Sequence, residues 1–100
     1  MATTSLTGKQ RRYLRGLGNQ VRPSVYLGYK GLNDEGVRSL NEAFANNELV
    51  KIKLQENFPA DRFEAGERLA ALTHSQLVQV LGRTILLYRA DPDEPKIVLP

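Results

Sequence analysis

One hundred residues, 41% of them hydrophobic and 25% charged, predict a single small domain with one modest core. The chain has no cysteine, which excludes a disulfide framework, a thiolate nucleophile and a cysteine-based zinc site. The formal net charge is only +3, yet residues 1–31 hold six basic side chains and no acidic one, so the positive charge is concentrated in the first third and predicts an anionic partner. No apolar run is long enough to span a membrane, and Met1-Ala2-Thr3-Thr4-Ser5 lacks the features of a signal peptide. A cytoplasmic protein without membrane association is therefore expected.

Taken in order, the first helix starts at Thr7, where Thr7-Gly8-Lys9-Gln10 reads as a capping box. Leu6, Tyr13, Leu14 and Leu17 gather on one side as an anchoring stripe, and Lys9, Arg11, Arg12 and Arg15 fill the opposite arc. A solvated helix face usually mixes charge signs; an arginine row with no carboxylate suits phosphate. Gly18 or Asn19 supplies a left-handed stop. Arg22-Pro23 then leads into a short strand, Ser24 to Leu27.

The strand runs into Gly28-Tyr29-Lys30-Gly31, a Gly-x-x-Gly turn followed by a helix from Asn33 to Asn46. Such a turn brings bare backbone N–H groups and a helix start close to a phosphate. KH domains clamp single-stranded nucleic acid with a loop of this kind. Asn33 is a good N-cap, with Asp34 and Glu35 in the first turn.

Leu49 to Leu54 alternates as a strand, with Val50, Ile52 and Leu54 facing a core and Lys51 and Lys53 facing out. The two lysines are either ordinary solvent-facing residues or a basic wall beside the turn. Asp61-Arg62-Phe63-Glu64 opens a third helix, to Thr73, packed through Phe63, Gly66, Leu69, Ala70 and Thr73. Leu77–Leu81 and Thr84–Arg89 form a hairpin about Gly82-Arg83, with a type II′ turn. Ile97-Val98-Leu99 returns onto the domain. The order α-β-α-β-α-β-β, with right-handed crossovers, gives a two-layer α/β sandwich with a mixed four-stranded sheet. Because the lysines make one sheet face wet, all helices are expected on the other.

Chemistry for catalysis is missing. The lone His74 sits at a helix end, no serine has a partner base nearby, and no phosphate-wrapping Gly-x-x-x-x-Gly-Lys loop is present. No enzyme activity, metal or cofactor is expected. The candidates for contact with a nucleic acid are Gly28, Tyr29, Lys30 and Gly31, the stripe Lys9, Arg11, Arg12 and Arg15, then Arg22, Lys51, Lys53 and Arg83. Tyr26, Tyr29 and Tyr88 are candidates for base stacking, with sheet packing the alternative for Tyr26 and Tyr88.

Several stretches in order resemble the CRM domain (chloroplast RNA splicing and ribosome maturation), and in particular the bacterial stand-alone YhbY-like proteins. They are Leu6-Thr7-Gly8-Lys9-Gln10-Arg11, Leu27-Gly28-Tyr29-Lys30-Gly31-Leu32, Glu48-Leu49-Val50-Lys51-Ile52-Lys53, Val78-Gln79-Val80-Leu81-Gly82-Arg83-Thr84, Leu87-Tyr88-Arg89 and Ile97-Val98-Leu99-Pro100. The resemblance implies a fold like the C-terminal domain of translation initiation factor three, with strand order one-two-four-three. It also implies RNA binding without catalysis and, for stand-alone members, association with precursors of the large ribosomal subunit; family members in plants act in organellar intron splicing. A monomer bound to ribosomal RNA, with ribosomal proteins as further partners, is the expectation; a module that docks on a ribosomal protein or assembly factor is the rival. One departure is that the family loop carries a basic residue directly after its first glycine, where this chain has Tyr29 and then Lys30.

Overall fold

A computed structural model describes residues 6–100; Met1 to Ser5, read above for a leader, lie outside the described residues. The elements are α1 (Gly8–Gly18), β1 (Pro23–Leu27), α2 (Asp34–Asn46), β2 (Leu49–Leu54), α3 (Arg62–Thr73), β3 (Gln76–Leu81) and β4 (Thr84–Tyr88). The helix starts follow from local chemistry. Thr7 and Gln10 close a full capping box, Asn33 accepts from the Gly36 N–H at 2.7 Å, and Asp61 accepts from the Glu64 N–H at 3.0 Å.

The sheet is mixed, with order β1-β2-β4-β3. β1 runs parallel to β2, and β4 runs antiparallel to both β2 and β3. The β2–β4 register is unbroken, but each edge strand carries one irregularity, at Pro23/Val25 in β1 and at Leu77/Gln79 in β3. Of the two hairpin residues only Gly82 has positive φ, as a type II′ turn requires.

The helices do not share one face. Val25, Leu27, Val50, Ile52, Leu54, Ile85 and Leu87 pack with Leu40 and Phe44 of α2 and Leu69 of α3. The intervening positions Leu49, Val78, Leu86 and Tyr88 pack with Leu14 of α1 and with Leu6, which precedes that helix, joined by Val21, Ile97 and Leu99. The molecule is therefore layered α/β/α, and the expectation of one open sheet face is corrected. The physical reason lies in β4, where Ile85-Leu86-Leu87-Tyr88 is buried on both sides and both faces need a cover.

The packing stripe of α1 is also rotated from the expected one. Leu14 and Gly18 are buried, whereas Tyr13 and Leu17 are exposed. Gly18 is not a left-handed stop: positive φ among the described glycines occurs only at Gly31 and Gly82, and Asn19 is right-handed. Glycine serves at position 18 by its size, since a Cβ there would collide with the Leu86 side chain. In α3, Phe63 is exposed rather than packed, with the Arg62 guanidinium 4.9 Å from its ring centre, and Ala65 takes the buried place.

Residues beyond β4 form no strand; they are tied down by Glu48. Its carboxylate accepts from the backbone N–H groups of Asp91 (2.7 Å), Lys96 (2.9 Å) and Ile97 (2.7 Å). Burial raises the carboxyl's pKa, but these donors outweigh that effect and hold it below the ordinary 4.5. Burial, then the Glu48 charge, pushes the Tyr88 phenol up.

Candidate nucleic-acid interface

The Gly-x-x-Gly turn forms at the end of β1. The Gly31 N–H donates to the Gly28 carbonyl at 2.9 Å, which closes a four-residue turn. Gly31 is buried with φ of 67°, a conformation that costs a residue with a Cβ more than it costs glycine. Closing the turn pushes its central residues outward: Tyr29 is 70% exposed, and Lys30 is also exposed. Behind the turn lies a cleft of about 330 Å³ between β1 and α2, lined in part by Ser24, Tyr26, Asn33, Glu35 and Ser39.

The start of α2 contributes less than the sequence implied. The Gly36 N–H is capped by Asn33, the Gly31 N–H closes the turn, and Asp34 and Glu35 already answer the helix dipole. An anion at the turn therefore depends on the Lys30 charge more than on the dipole.

Two backbone bonds bring other elements to the same rim. The Gln55 N–H donates to the Leu27 carbonyl at 2.8 Å, and the Leu54 N–H to the Arg83 carbonyl at 2.7 Å. The turn, the end of β2 and the β3–β4 hairpin thus share one end of the sheet. Lys30, Lys53 and Arg83 are exposed there.

The remaining candidates are elsewhere. Lys9, Arg12 and Arg15 are exposed on α1, across the sheet from the cleft. Arg22 precedes β1, at the end opposite the turn. Two cations are partly committed to the fold. The Arg11 guanidinium donates to the Leu77 carbonyl at 3.3 Å, and Lys51 Nζ donates to the Gly18 carbonyl at 2.8 Å, satisfying an end of α1. The structure thus separates a rim group from an α1 group. Tyr88 is buried, and His74 is the exposed left-handed residue ending α3. Among the described residues no group of three His, Cys, Asp or Glu could hold a metal ion, and no helix is long and apolar enough to cross a membrane.

Sequence reasoning missed Glu48. Its only signal was a carboxylate directly before an apolar strand, with a polar turn and an apolar tail downstream.

The family model described as the CRS1 / YhbY (CRM) domain matches residues 6–89. The chain belongs to this family. It is 37% identical over 95 residues to the "Probable RNA-binding protein YqeI" of Bacillus subtilis (strain 168), covering 95% of this chain and 99% of that protein. It is 34% identical over 100 residues to a Haemophilus influenzae protein named "RNA-binding protein", covering 97% of each. The solution structure of SAV1595 from Staphylococcus aureus superposes with a TM-score of 0.82 at 38% identity, covering 95% of this chain and 99% of that one. The family and the names of these relatives point to RNA binding rather than to catalysis.

Proposed function

We propose that this protein binds the RNA backbone at the Gly28–Gly31 turn and acts in assembly of the large ribosomal subunit, as a cytoplasmic monomer. The observation that carries the reading is the turn itself: glycine at position 31 permits the tight closure, and closure presents Lys30 and Tyr29 to solvent above a cleft. Lys53 and Arg83 on the same rim extend the positive surface. The RNA-binding names of the relatives support the same chemistry, and the sequence resemblance supports the ribosomal precursor as target. Docking on a ribosomal protein through an open sheet face is the weaker reading, because α1 and the C-terminal segment cover much of that face.

Salt dependence tests the mechanism. Each phosphate neutralised on single-stranded RNA adds about −0.7 to the log–log slope of affinity against salt. The three rim cations alone give a slope of about −2, and recruitment of Lys9, Arg12 and Arg15 steepens it to about −4. Lys30→Glu flattens the slope in either case, measured by fluorescence anisotropy of a labelled single-stranded RNA. A slope near zero for the unaltered protein overturns the proposal. Crosslinking in cells and sequencing of the bound RNA tests the ribosomal target; absence of large-subunit precursor RNA removes that part.

A further inference from the structure

Tyr26 and Leu81 lie in strands, yet they are 60% and 67% exposed. Both belong to the α1 side of the sheet. Val25 and Leu27, on either side of Tyr26, face α2, and Leu81 pairs with Thr84, next to the inward Ile85. The register links them: Tyr26 pairs with Lys53, Lys53 with Thr84, and Thr84 with Leu81. A single row of side chains therefore crosses all four strands, about 14 Å wide at ~4.8 Å per strand spacing.

The first helix stops one row short. Gly18 rests on Leu86, and a hollow of about 100 Å³ remains between Gly18, Asn19 and the sheet residues Lys51, Gln79, Thr84 and Leu81. At its other end the row meets the rim, because Tyr26 is two residues before Gly28.

We propose that the row Tyr26–Lys53–Thr84–Leu81 is a shelf on which unpaired RNA bases stack, so that a strand gripped at the turn continues across the sheet. The inference rests on the RNA reading above and adds a demand for single-stranded bases. Charge decides between occupants. The four strands contain two lysines and no carboxylate. Lys53 separates Tyr26 from Leu81, so the apolar surface is discontinuous and a cation stands at its middle. Protein interfaces deplete charge at their centre. A cation beside an exposed ring is the pairing that holds a single-stranded polyanion: the lysine meets a phosphate and the ring meets a base.

The test uses the full chain with a labelled single-stranded oligoadenylate, and with an RNA duplex of equal length as control. Tyr26→Ala is expected to weaken single-strand binding about tenfold. It leaves the salt slope unchanged, since no phosphate contact is lost, and it leaves duplex binding unchanged. Tyr26→Phe, which keeps the ring, restores the affinity. With 2-aminopurine in the oligonucleotide, quenching on binding disappears in Tyr26→Ala. Because Tyr26 is exposed, the variant folds, and its thermal melt verifies this. If Tyr26→Ala binds as the unaltered protein does while Lys30→Glu does not, the shelf is wrong and the RNA reading stands. If the unaltered protein binds the oligonucleotide with no salt dependence, the RNA reading itself fails. If Tyr26→Ala keeps its RNA affinity but no longer joins pre-ribosomal particles, the face is a protein dock and the shelf is overturned.

Discussion

The two faces of the sheet are made by the same four strands but are finished differently. On the α2/α3 side every strand contributes apolar residues, and the layer is closed from Leu27 to Leu87. On the α1 side Leu49, Val78, Leu86 and Tyr88 are covered by α1 and the C-terminal segment, but Tyr26, Lys53 and Leu81 in the row beyond them stay exposed. One face is a core and the other is half core, half surface. The difference shows how a small α/β protein keeps a working surface on its sheet without leaving its central strand wet.

The largest expected effect breaks the closed face. Leu87 is fully buried between the sheet and the helices; Leu87→Ala costs about 3 kcal/mol of stability, read from denaturant unfolding. Leu14→Ala, fully buried on the other face, costs about 2 kcal/mol. An equal cost for the two would mean that the faces are energetically alike.

A smaller effect comes from the carboxylate that holds the tail over the α1 side. Glu48→Gln loses charge-assisted hydrogen bonds and costs about 1–2 kcal/mol near neutral pH. The carboxyl's folded pKa lies below its unfolded value. Its contribution is therefore fully present above the ordinary 4.5 and is lost as pH falls through the depressed folded value. Stability against pH should be flatter for Glu48→Gln in that acid range; an unchanged acid limb removes Glu48 as its source.

The smallest effect separates structural from free cations. Lys51→Met removes the bond to the Gly18 carbonyl and costs about 0.5–1 kcal/mol. Arg12→Gln, at an exposed position, leaves the melting temperature unchanged within error. Equal melting temperatures for the two variants would show that Lys51 does not cap α1.

The element order was readable because each signal was local. Thr7, Asn33 and Asp61 start helices by bonds within one turn, and the alternation in β2 names its own inward face. The layer arrangement was harder to read. Lys51 and Lys53 made β2 look half wet, although Lys51 lies partly under the end of α1. The better witness was the unbroken apolar run of β4, which demands cover on both sides. At the candidate site, the turn and its exposed Tyr29 were legible for the same local reason. The division of the cations into two groups was not, because it depends on which face α1 covers.

The broken registers lie only on the outer strands. An intact edge would present a regular series of backbone donors and acceptors, which invites a further strand from another molecule. Here an extra residue, Ser24 in β1 and Val78 in β3, interrupts each rim, while β2 and β4 pair without interruption inside. The sheet thus has a built-in width: four strands can be laid side by side in order, and a fifth would find no even ladder on either side.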